Sequence, residues 1–138
     1  MAIRQISVFL ENTTGRLSEV TRTLAKAGIN LRAISIADTA DFGILRLIVD
    51  KTGEAVNALN AAGFTTRQTA VAAVVIEDVP GSLASLMELF QKSGINIEYL
   101  YASLEGRNGK AVVIFKLKDH EKGLKILDEH GLTIADKF

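Results

Sequence analysis

Apolar residues recur along this chain with two alternating periods. Ile6, Val8 and Leu10 fall two apart, the spacing of one face of a strand. Leu17, Val20, Leu24 and Ala27 follow at the spacing of one helix face. Gly28 predicts a left-handed cap at that helix's end. "INLRAISIA" and "FGILRLIVD" read as two strands joined by a turn at "DTAD". A helix opens at or beside Thr52, turns Val56 and Leu59 inward and closes at Gly63, and "FTTRQT" reads as a last strand. The order then begins again. Val74 and Ile76 mark a strand, and Leu83, Leu86, Met87 and Phe90 mark a helix. After these come "INIEYLYAS", the hairpin "EGRNGK", "AVVIFKL", a helix carrying Leu124 and Leu127, and "LTIAD".

The second round repeats the first in sequence as well as in pattern. Shifted by 66 positions, Glu11, Gly15, Leu17, Lys26, Gly28, Ile29 and Asn30 meet identical residues at Glu77, Gly81, Leu83, Lys92, Gly94, Ile95 and Asn96. Beyond a longer turn in the second copy the shift becomes 68, and "AVNALNAAG" meets "GLKILDEHG". Two copies of a strand–helix–strand–strand–helix–strand order are a duplicated domain, not a solenoid. Such a unit folds as an α+β, ferredoxin-like βαββαβ module, an antiparallel sheet with both helices on one face. The expected modules are 1–68 and 69–138. No Gly-, Pro- or Ser-rich linker parts them, and "FTTRQTAVAAVVIEDV" is nearly continuous strand material, so docked modules are expected.

Composition narrows the function. Sixteen basic and sixteen acidic residues balance, against the cationic excess that nucleic-acid binding requires. Cysteine is absent, which removes disulfides, thiolate metal sites and thiol nucleophiles. No apolar run reaches a membrane span and no signal-peptide core is present, so a cytoplasmic protein is expected. His120 and His130, the only histidines, lie ten apart, off the i, i+4 metal spacing, and are expected to be solvated near the two ends of one helix. "GRNG" imitates an RNA-clamping loop, but Asn108-Gly109 between two strand patterns is a hairpin turn. No acid–base pair, Gly-x-Ser-x-Gly elbow or phosphate cradle is present, so neither an enzyme nor a cofactor is expected. Tyr99 and Tyr101 share a strand face and read as core or interface rings.

The loop between first strand and first helix is the most informative segment. It reads Glu11-Asn12-Thr13-Thr14-Gly15-Arg16-Leu17 in one copy and Glu77-Asp78-Val79-Pro80-Gly81-Ser82-Leu83 in the other. Asn12 and Asp78 are capping types, and Pro80 suits a helix start. The same features suit a ligand. A glycine lets it approach the backbone, unpaired helix-start amides attract a carboxylate, and an Asn or Asp oxygen accepts from an ammonium group. A free amino acid carries both charges on one carbon.

These loops, each followed by "GIN" at matched spacing, resemble the ACT domain, a βαββαβ module that senses amino acids. The resemblance covers both copies; the first departs by having Thr14 where proline is usual. It implies a stand-alone, non-catalytic tandem pair whose modules merge side by side into eight strands and bind an effector amino acid at their seam. Carried over by position, the ligand contacts would be Asn12, Gly15 and Leu17, and Asp78, Gly81 and Leu83, with Asn30 and Asn96 next. Such a module must act through an enzyme or regulator partner or its own oligomer. The apolar loading of both strand faces, as in Leu31, Ala33, Ile34 and Ile36, predicts a homodimer. The alternative from another class is a ligand-free oligomerisation subunit of an enzyme complex, since one fold hosts many functions.

Overall fold

The computed structural model describes residues 3–38, 42–104, 106 and 108–136. The strands are β1 (Ile3–Glu11), β2 (Leu31–Asp38), β3 (Phe42–Val49), β4 (Thr65–Glu77), β5 (Ile97–Ala102), β6 (Lys110–Leu117) and β7 (Thr133–Ala135). The helices are α1 (Arg16–Lys26), α2 (Thr52–Ala61), α3 (Ser82–Lys92) and α4 (His120–Glu129). Residues 39–41 of the expected "DTAD" turn, and Glu105 and Arg107 of the hairpin, lie outside the described residues. The chain divides into two compact units, Arg4–Thr69 and one that runs on from Ala70 and also takes in Ile3.

Each unit is a ferredoxin-like βαββαβ module. In the first, the strand order is β2-β3-β1-β4. The antiparallel register sets Val8 beside Leu45 and Ile34 beside Leu47. That face receives Val20 and Leu24 from α1 and Ala55 and Leu59 from α2, with Phe64 closing the core. In the second, β6 and β7 flank β4, and β5 lies outside β6. Its core gathers Val74, Leu86, Phe90, Phe115, Leu117 and Leu127, and the Phe90 and Phe115 rings meet edge to face at 5.4 Å. Seven strands, not eight, occur among the described residues, because the last strand of one copy and the first of the next are one element, β4.

Helix ends follow from the repeated glycines. Gly28 and Gly94 turn at φ 70° and 69°, and the amides of Ile29 and Ile95 reach back to the carbonyls of Leu24 and Phe90. This is the six-to-one closure of a left-handed cap. Asn108 and Gly109 both have positive φ, as the hairpin turn requires.

One expectation about faces needs correction. Leu17 and Ala27, expected on the inner face of α1, are exposed, as is Leu83 at the start of α3. Each sits within a turn of a helix end, outside the buried stretch from Val20 to Leu24 in α1 or from Leu86 to Phe90 in α3.

Candidate functional site

The two glycine loops are built alike. Gly15 lies at φ 91°, ψ −14°, and Gly81 at φ 92°, ψ −15°. The amide of Arg16 donates to the Thr13 carbonyl and that of Ser82 to the Val79 carbonyl. Each loop is therefore a type II turn with glycine at its third position, where φ must be positive. Pro80 occupies the second position and presets it, one residue ahead of the helix-capping glycine.

No side chain caps either helix. Asn12 and Asp78 are exposed, and neither side chain has a partner among the described residues. The capping role their residue types allow is not the one they perform. The first in-helix bonds run from Glu19 to Gly15 and from Ser85 to Gly81. The amides of Leu17 and Ser18, and those of Leu83 and Ala84, have no partner among the described residues. A side chain built on either glycine would meet nothing within 4 Å, so the space beside each glycine is open. Free amides at a helix start, with the dipole behind them, favour an anion.

The surroundings of the loops differ. Beside the first, Arg16 lies over the Phe64 ring, 4.6 Å from its centroid, and pairs with Glu19 at 2.6 Å. Its Nε is buried and unpartnered. The second loop has Ser82 at this position and is instead tied to the hairpin. Glu77 pairs with Lys110 across the ladder, and the Asp78 amide donates to Gly109 at 2.9 Å. Arg16 carries no repeat signal in the sequence, because the second copy has Ser82 at that position.

Asn12, Gly15 and Leu17 thus lie together, as do Asp78, Gly81 and Leu83. Asn30 and Asn96 do not join them within their own units. An 11-residue helix separates each from its glycine loop, a rise of roughly 16 Å. Each asparagine lies two residues beyond a helix-ending glycine, at the entry to the next strand. The expectation that His120 is solvated also needs correction: its ring nitrogens are shielded and have no partner, and burial holds its pKa below the ordinary 6.5. Among the described residues no cluster fit for a metal ion occurs, and no helix is long and apolar enough to cross a membrane.

A duplicated βαββαβ module with paired glycine loops defines a tandem ferredoxin-like pair. The sequence matches the ACT domain pair family over residues 1–137, and the chain belongs to it. Among solved structures it is similar to protein BT0572 from Bacteroides thetaiotaomicron, with 39% identity, 98% of this chain and 92% of that one covered, and a TM-score of 0.92. It also shares its fold with the regulatory subunit of aspartate kinase from Thermus thermophilus in a ligand-free form, at 19% identity, 95% and 94% coverage and a TM-score of 0.67. The corresponding subunit from Thermus flavus gives 18% identity, 94% and 92% coverage and a TM-score of 0.64. No curated protein matches the sequence.

Proposed function

We propose that this chain is a non-catalytic regulatory protein that binds a free amino acid at its glycine loops and passes its state to a separate enzyme or regulator. One observation carries the reading. Two loops of different sequence hold the same left-handed glycine with open space beside it and leave the same pair of helix-start amides free. The ligand carboxylate would meet the amides of Leu17 and Ser18, or of Leu83 and Ala84. The ammonium group would meet Asn12 or Asp78. Action on a separate partner is the mode named for the aspartate kinase regulatory subunits that share the fold.

Titration calorimetry across the proteinogenic amino acids tests this. At least one should bind, and Asn12→Ala or Asp78→Ala should weaken it by about 1.5–3 kcal/mol, the range for a hydrogen bond to a charged group. Gly81→Val should weaken it too, and should also lower stability by about 1–3 kcal/mol, because a branched residue is strained at positive φ. No heat with any amino acid, or unchanged affinity in all three folded variants, would remove the glycine loops from the site.

A further inference from the structure

The second unit carries another cleft, at the far end of α3 from Gly81, of about 470 Å³. It opens between the turn at Gly94 and Asn96 and the start of α4, and Lys118, His120 and Lys122 line it. The duplication provides an internal control, because the first unit has the same turn with different chemistry. There Asp50 stands where Lys118 stands here, Thr52 where His120 stands, and Glu54 where Lys122 stands.

In the first unit the turn closes on itself. The Asn30 amide donates to Asp50 Oδ1 at 3.0 Å, and the Asp50 amide returns a bond to the Asn30 carbonyl at 3.2 Å. In the second unit only the return bond survives, from the Lys118 amide to the Asn96 carbonyl at 3.0 Å. Lysine has no acceptor, so the Asn96 amide has no partner among the described residues. Around this donor the charges are inverted. Lys118 and Lys122 form no ion pair among the described residues, and both His120 ring nitrogens are shielded from solvent and unpartnered. Asp119 is engaged, since its Oδ1 accepts from the Lys122 amide. Glu121 is exposed at the rim.

Thus one unit carries its own carboxylate on the turn amide, and the other carries the donors and cations without it. We propose that this cleft binds a small carboxylate anion, one oxygen of which takes the place that the Asp50 carboxylate fills in the first unit. Lys118 and Lys122 would neutralise it and the Asn96 amide would orient it. Burial lowers the His120 pKa, so this ring lines the cleft without adding a charge of its own. The site is independent of the glycine loops and of whatever they bind.

Succinate is a suitable probe, titrated into the ¹⁵N-labelled full chain with amide shifts as the readout. The Asn96, Lys118 and His120 amides should move saturably, while Asn30, already bonded to Asp50, should stay. Lys118→Asp restores the arrangement of the first unit, so it should keep a folded spectrum and weaken succinate binding by about tenfold or more. The proposal falls if millimolar succinate leaves Asn96 unmoved, or if Lys118→Asp binds as well as the parent. It also falls if inorganic phosphate moves the same amides as strongly, which would make the cleft a general anion trap. Shifts at Gly81 and Leu83 report the glycine loop separately, so either site can fail alone.

Discussion

Thr14 and Pro80 occupy the same corner of the same turn, and only one of them is built for it. Proline fixes φ near the value a type II turn needs at its second position; threonine must lose freedom to reach it. The Thr14 amide has no bond for proline to break among the described residues. Thr14→Pro should therefore stabilise the chain by about 0.4–1 kcal/mol, read as a higher urea midpoint at unchanged slope. A loss of stability would mean that the first loop differs from the second at Thr13 or Thr14. At this scale the sequence was partly legible. Glycines that end or begin helices announce themselves by position, because few residues tolerate positive φ. The roles of Asn12 and Asp78 were not legible, since a capping residue and a ligand acceptor look identical without the amide's position. The unpaired Asn96 amide was hidden for another reason. Its partner position lies 22 residues downstream at Lys118, and only the folded first unit shows what is missing there.

At the scale of elements, the two units pack equivalent helices with different partitions of volume. In the first, Ala55 on α2 and Val49 on β3 belong to one core. In the second the equivalent positions are Gly123 on α4 and Leu117 on β6, and a methyl group on Gly123 would overlap Leu117 Cδ1. Small with large has replaced medium with medium. Gly123→Ala should gain about 1 kcal/mol of helix propensity but lose about 1–3 kcal/mol to overpacking, a net loss or near balance. Leu117→Val alone should cost about 0.5–1.5 kcal/mol through the cavity it leaves. The double variant copies the first unit and should be more stable than the sum of the two changes, by a coupling of about 1 kcal/mol or more. Additive denaturation energies would refute the volume exchange. Strand and helix order was legible from periodicity, since each face alternates as burial demands. Leu17, Ala27 and Leu83 escaped it because periodicity marks a face but not where the sheet beneath it stops. This exchange was equally invisible, because glycine within a helix pattern reads only as a weak position.

For the molecule as a whole, the duplication was the most legible feature, and β4 is where it has its largest consequence. The expected last strand of one copy and first strand of the next form a single element of 13 residues, and the division between the units falls inside it. Thr65–Glu77 contains neither glycine nor proline, the residues that most often interrupt a strand. Phe64, at its entry, belongs to the first core, while Ala72 and Val74 belong to the second. Melting one unit alone would require this strand to fray midway and stay ordered beyond that point. A break inside a strand leaves unpaired amides and carbonyls beside the core that remains folded, and each such buried group costs about 1–3 kcal/mol. Independent melting is therefore disfavoured in both directions. The chain should unfold in one transition, with calorimetric and van't Hoff enthalpies that agree. Thr69→Pro places a break at the division and removes one amide from the strand. It should lower the midpoint and, if β4 carries the coupling, broaden or split the transition. Two resolved transitions in the parent chain would show that the units melt separately despite their shared strand.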